Sequence, residues 1–445
     1  MRKISLRALA AAGLLAGGFA SGANAADLGG NCCADLEERV AELEATTVRK
    51  GNRKVSLTIS GWVAEQVTYW DDGIESNTYV TGVGTTLGTN VKFTGEATIV
   101  PGWSAGYVIH IEADGSDGDT TNQFNDNGPG LFAGTPNYVQ TLQSFWFLKS
   151  DHYGKVGIGL QSSPSDNAAI LVDGSGTLVP ANWVAFDVLN FGIRNKNGGF
   201  VTNGVDANGD PIVVTWGAAG ACLPGDCYGV PTNIIRYDTP TWRGFSGSAS
   251  WGEDDIWDVA LRYAGEHHGF KLAATITYGE STDGGDVRPG GVIYPGFGQD
   301  SQYTQVGVYL QHVRTGIFGL VNYGNYQLDP PNVYNSNSAS NSEDNNYYDD
   351  GSIDSDVWYF KVGVRNKWHP LGATIPYAEY QRSDDGVTGD SEFRWWGVGI
   401  VQEIDAAAMS VWLKYRNYEF EDKNLCGYYG CEDLDELTFG GLINF

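Results

Sequence analysis

The sequence predicts an all-β chain: a 16-stranded antiparallel transmembrane β-barrel with a short N-terminal periplasmic helix that forms a coiled coil. Three observations predict it. From Lys54 onward, apolar residues recur at every second position. The links between these segments alternate between short turns and long polar loops. The composition is rich in turns and rings, with 61 Gly and 13% aromatic residues. After the first 25 residues no apolar run approaches the roughly 18 that a membrane helix needs, so any crossing is by strands. The net charge of −27 argues against nucleic acid as a partner.

The first segment reads as a signal peptide over 1–25. Arg2, Lys3 and Arg7 precede an apolar stretch at 8–20, and Ala23-Asn24-Ala25 supplies the small residues of a cleavage site. The apolar stretch is shorter than the roughly 20 residues that span a bilayer. Cleavage after Ala25 removes three positive charges and takes the net charge from −27 to −30.

Residues 26–53 read as a periplasmic linker with one helix. In 35–50, Leu36, Val40, Leu43 and Thr47 follow 4-3-4 spacing, the seam of a coiled coil. Two heptads are too short to be stable alone. The seam therefore joins copies of itself or docks on the rest of the chain, and the oligomer is the favoured reading. Cys32 and Cys33 lie beside it; their pairing, within or between chains, stays open.

Residues 54–445 form the barrel domain. Sixteen strands are expected, near 54–70, 88–99, 103–113, 143–150, 155–161, 232–239, 245–252, 256–264, 269–278, 302–313, 316–327, 356–367, 372–382, 392–403, 408–419 and 435–445. Each has one apolar and one wet face. In the first, Ile59 and Val63 oppose Ser60 and Trp62. Near the end, Met409, Val411, Leu413 and Tyr415 oppose Ser410, Lys414 and Arg416. In the last, Leu437, Phe439, Ile443 and Phe445 oppose Thr438 and Asn444. Short links such as Val100-Pro101-Gly102 and Arg314-Thr315 belong to one rim, and the long loops to the other.

A soluble β-sandwich would share this alternation. Aromatics near strand ends favour the membrane, as two interfacial girdles: Tyr69, Trp70, Trp103, Trp242, Trp251, Tyr278, Tyr326, Trp368 and Tyr418.

The remaining chemistry is sparse. Cys222 and Cys227, and Cys426 and Cys431, are each five positions apart in Gly-rich loops, which fits small disulfide-closed loops. No zinc, nucleophile-elbow or phosphate-loop pattern occurs. Asp206-Ala207-Asn208-Gly209-Asp210 resembles half a calcium loop, lacks the rest and reads as a turn. No metal or cofactor is expected. Loop carboxylates could still serve a barrel-shaped enzyme, a reading that spacing alone does not settle.

Three stretches carry a family resemblance. VKFTGEATIVPGWSAGYVIHIEA (91–113), QSFWFLKSDHYGKVGIGLQ (143–161) and NIIRYDTPTWRGFSGS (233–248) resemble hairpins of general bacterial porins, in particular the alphaproteobacterial, rhizobial type. The terminal Phe445 matches that family's outer-membrane assembly signal. The resemblance spans about 55–445 and is most specific at Arg236-Tyr237-Asp238.

The resemblance implies an outer-membrane homotrimer of water-filled pores for passive diffusion of small hydrophilic solutes and ions. A substrate-selective channel with a binding site at the eyelet is the second reading. A barrel enzyme is the third. The resemblance also implies a third long loop folded inward as the eyelet, here within 162–231. Its candidate acids are Asp166, Asp173 and Asp187. They would face wall bases Lys92, Arg236, Arg262, Lys361, Arg365 and Lys414. An insertion near 195–228 leaves open which part of the loop enters the barrel. Net charge leans selectivity weakly toward cations.

Overall fold

The computed structural model describes residues 55–445 apart from 85–87, 115–120, 126–137, 184–187, 189, 206–210, 223, 228–230, 253–254, 283–300 and 329–352. The signal peptide, Cys32, Cys33, the helix expected at 35–50, Asp187 and the Asp206–Asp210 turn lie outside the described residues.

Alternating sequence becomes sixteen antiparallel strands in one closed sheet. They are β1 (Thr58–Asp71), β2 in two pieces (Ser76–Thr81 and Asn90–Val100), β3 (Trp103–Asp114), β4 (Tyr138–Ser150), β5 (Gly154–Gln161), β6 (Thr232–Asp238), β7 (Phe245–Gly252) and β8 (Trp257–His267). Then follow β9 (Phe270–Ser281), β10 (Ser301–His312), β11 (Ile317–Leu328), β12 in two pieces (Ile353–Val364 and Asn366–His369), β13 (Gly372–Asp384), β14 (Glu392–Ile404), β15 (Met409–Glu421) and β16 (Leu434–Asn444). Each strand pairs with the next, and β16 pairs back onto β1 from Asn444↔Trp62 to Asp435↔Asp71. Closure leaves no strand edge unpaired, which is the condition for crossing lipid with strands.

The break in β2 has a register cause. β1 pairs with the first piece at Gln66↔Thr81 and with the second at Trp62↔Asn90, a shift in register between the two pieces. The sequence reading locates only the second piece; the first, SNTYVT, is short and polar.

Alternation sorts side chains as expected over most of the barrel. On β16, Leu437, Phe439 and Ile443 face outward while Thr438 is buried inside. The terminal residue extends the ladder, since Phe445 and Gly61 exchange both backbone hydrogen bonds at 3.1 Å. Tyr69, Trp103, Trp242, Trp251 and Trp368 lie exposed on the outer surface. Three expected girdle members do not: Trp70, Tyr326 and Tyr418 are 2%, 4% and 0% exposed and point inward. Their place near a strand end is right, but parity in the pairing decides the face.

Short turns join the strands at one rim. At the other, the loop 162–231 between β5 and β6 turns into the barrel. It reaches Asp258 of β8 and Tyr303 of β10 at Ser165, then β12 at Asp173 and β15 at Ala181. Phe191 then meets Trp70 of β1 edge to face, with ring centroids 5.2 Å apart. A small hairpin, Thr202–Val205 with Pro211–Val213, follows. The one-turn helix α1 (Trp216–Gly220) begins at Thr215, whose hydroxyl accepts the Ala218 N–H. Trp216 packs between Phe393 and Tyr418. A core therefore sits inside the barrel: Ile170, Phe191, Ile193 and Trp216 of the loop are buried with Tyr309, Tyr359 and Trp395 of the wall.

Candidate pore constriction

The loop is built onto one arc of the wall. Gly307 of β10 lets its backbone approach, because a Cβ there would collide with the Ala169 carbonyl oxygen. Gly324 of β11 likewise makes room for the Cys222–Cys227 disulfide, from which a Cβ would lie 2.9 Å. The second disulfide, Cys426–Cys431, closes the loop before β16, and that loop meets the insertion where the backbone N–H of Lys196 donates to the Gly430 carbonyl at 3.1 Å. Both parts of 162–231 thus lie against the inner wall: 163–182 along β8 to β15, and 216–227 along β14 back to β11.

The wall bases meet different fates. Lys361 contacts Asp173 at 2.5 Å and Asn182 at 2.7 Å, with no side-chain exposure in the ion pair. Asp173 therefore touches its base directly instead of facing it across water. Lys414 pairs with Glu436 at 3.1 Å, again fully buried. Arg365 forms a fork to Glu403 at 2.6 and 2.7 Å and donates to the Ser175 carbonyl at 3.0 Å. Arg236 bonds Asp238 and also the Ser162 carbonyl at 2.8 Å. Arg262 donates to the Ser248 hydroxyl and the Pro164 carbonyl. Lys92 on β2 is half-buried beside His110 of β3.

Asp166 is buried where the loop leaves β5. Desolvation pushes its carboxyl up to about 6, against the pull of Ser162, Arg236 and Asn167. Asn167 donates to it at 2.5 Å.

Sequence reasoning misses the acids of the wall itself: Asp258, Glu379, Glu403 and Glu436. It places Arg416 on the wet face of its strand but not among the constriction bases; Arg416 is fully buried, bonds Glu379 at 2.6 Å and donates to the Ala181 carbonyl. Parity was the available signal, since Glu379, Gln381 and Ser383 alternate along the wet face of β13. Their pairing across strands is not legible locally.

Burial divides the inner wall. On β11–β16, Asn322, Gln381, Arg416 and Glu436 have no exposure. On the opposite arc, Lys92, Thr94, Phe147, Lys155, Arg236, Ser246 and Arg262 are partly exposed inside the barrel. A passage therefore runs beside the loop along β2–β8. Among the described residues no group of three or more His, Cys, Asp or Glu is placed to hold a metal.

The family model described as Gram-negative porin matches residues 8–425. A search of curated proteins finds no match by sequence. The fold is similar to the anion-selective porin from Comamonas acidovorans, at TM-score 0.55 and 15% identity, covering 88% of this chain and 100% of that one. It is also similar to Salmonella typhi OmpF in complex with daunomycin, at TM-score 0.52 and 13% identity, covering 90% and 100%. A loop L8 deletion mutant of OmpT, an outer membrane protein of Vibrio cholerae, aligns at TM-score 0.51 and 10% identity, covering 88% and 100%. With the closed barrel and the inward loop already in place, the family match makes this chain a member of the Gram-negative porins, a channel protein of the outer membrane.

Proposed function

We propose that the mature chain is a trimeric general porin of the rhizobial type that passes small hydrophilic solutes and ions by diffusion and catalyses no reaction. Residues 1–25 serve export, 26–53 stand in the periplasm, and 54–445 form the pore. The carrying observation is the division of the inner wall. Beyond its root on β4 and β6, the loop packs mainly against β8–β16 and β1, while the β2–β8 arc keeps polar groups in contact with solvent. Water on that arc replaces the hydrogen bonds a solute leaves behind, as a diffusion path requires.

Within this reading the loop sets the narrowest section, and Asp166 marks its root. The buried Asp173–Lys361 pair anchors the loop and contributes little field to the lumen, because its charges neutralise each other at contact. Along the open arc the inward bases Lys92, Lys149, Lys155, Arg236 and Arg262 are interspersed with the inward acids Glu96, Glu112, Asp238, Asp258 and Glu266. Inward charges of the two signs are thus nearly matched, and the pore wall itself sets no strong preference for either sign. The lean toward cations that net charge suggests is correspondingly weak, since charge in the outer loops is screened within about 8 Å at physiological salt.

Trimer formation draws support from the outer face of β1–β3. Gly95 and Ala97 of β2 and Ala105 of β3 leave it shallow, and the ring of Tyr107 lies over Gly95. Glu65 sits mid-strand on the same outer face of β1, where a carboxylate is costly against lipid and suits a protein neighbour.

Liposome swelling separates the readings. Rates that fall smoothly with solute size, without preference, support general diffusion. A marked preference for one solute at equal size points to the substrate-selective channel. No swelling with correctly folded protein excludes both.

A further inference from the structure

Lys92 differs from the other five wall bases of the expected constriction. Arg236, Lys361, Arg365 and Lys414 each hold a carboxylate, and Arg262 is taken by Ser248 and Pro164. Among the described residues, Lys92 has no hydrogen-bond or ion-pair partner. The register places Lys92 directly opposite His110, and His110 directly opposite Gln143, so the three form one row across β2, β3 and β4 on the lumen side.

His110 is 4% exposed, and neither ring nitrogen has a hydrogen-bond partner. A buried imidazole without partners costs free energy that a ligand could recover. Gln143 completes the row; its amide donates to the Ser162 hydroxyl at 2.9 Å, which ties the row to the root of the inward loop. The nearest acid along the same face is Glu112 of β3. Its carboxylate is occupied by the Gly88 N–H and the Gln140 amide, both at 2.8 Å. Glu96 lies farther down β2, exposed toward the turn rim. The row thus presents one ammonium, an imidazole N–H and an amide, with no carboxylate committed to them.

We propose that Lys92, His110 and Gln143 form an oxyanion subsite on the lumen wall, which takes small carboxylates or phosphates in transit. The inference rests on the porin reading and adds a solute class to it. A charged donor beside a neutral one matches the two oxygens that either anion presents. Lys92 is partly exposed to the lumen while His110 is buried, so an anion there keeps part of its hydration and can leave again, as conduction demands.

The test is planar-bilayer recording of the full-length protein in potassium chloride, with inorganic phosphate added in one series and acetate in another. Chloride conductance should fall and saturate as either anion is added. Lys92→Met should raise the half-blocking concentration by about tenfold, the size expected for losing a charged hydrogen bond. His110→Gln should raise it less, and Lys92→Arg should retain the block, which guards against a variant that fails to fold. Arg314→Gln, in an exposed turn, should behave as wild type. Saturation by phosphate alone still supports the subsite and narrows it to the more highly charged anion. Channels that show no saturating block, or a block unchanged by both Lys92→Met and His110→Gln, overturn it. Absence of channels would count against the porin reading instead.

Discussion

Arg416 on β15 reaches across β14 to Glu379 on β13 at 2.6 Å, and the residue between them in the register is Gly397. A Cβ at Gly397 would lie 2.8 Å from the Glu379 carboxylate, so the ion pair closes only because that position has no side chain. Arg416 also donates to the Ala181 carbonyl, and its guanidinium sits over the Trp395 ring at 4.6 Å. One pair thus links three strands to the inward loop.

Removing one partner strands a buried charge. Glu379→Ala should cost about 3–5 kcal/mol. The double variant Glu379→Ala/Arg416→Ala should cost less than the sum of the singles, because it leaves no lone charge. Denaturant unfolding in detergent measures both. Additive losses would mean that the pair does not act as a unit.

Gly307→Val should push the loop away from β10 at Ala169 and into the open passage. Overpacking of this kind costs about 1–3 kcal/mol. Single-channel conductance should drop while circular dichroism keeps its strand signal. Unchanged conductance would show that the loop backbone does not limit the passage at this height.

Asp166 carries a pH signature with a defined sign. Its folded value is raised to about 6 from an ordinary 3.8, so the fold favours the neutral acid. The stability it contributes is fully present below about pH 4 and is lost as pH rises through about 6, a change of about 3 kcal/mol. Unfolding midpoints of wild type and Asp166→Asn should therefore diverge as pH rises across that window. A difference that is constant from pH 4 to 7 contradicts the assignment.

The Cys222–Cys227 loop is short, so its closure contributes about 2 kcal/mol. Reduction should leave the barrel assembled and speed hydrogen exchange in 216–227, where the chain packs on β11 and β13. Loss of the barrel on reduction would contradict this local role.

The strands were legible because one side of each faces lipid and the other does not. That asymmetry imposes period two over Leu437–Ile443 as firmly as over Trp358–Val364. The inner side was far less legible. Tyr359, Trp395 and Trp412 are large rings facing inward, where sequence reasoning expects water-loving groups. They face inward because a long loop brings its own apolar surface, Ile170 and Trp216, to cover them. Partners such as Arg416 and Glu379 lie 37 positions apart and meet only through the register of three strands. Local patterning carries no trace of that pairing. Parity puts Lys361 on the inner face and the porin resemblance makes it a wall base; that Asp173 neutralises it at contact depends on the path of the loop.

The central claim is that the loop occupies one arc of the wall and leaves a water-filled passage along the other. Single-channel recording in planar bilayers over a range of potassium chloride concentrations tests it most directly. The account predicts discrete conductance steps that scale with bulk conductivity. Correctly folded, bilayer-inserted protein that yields no conductance steps would contradict it.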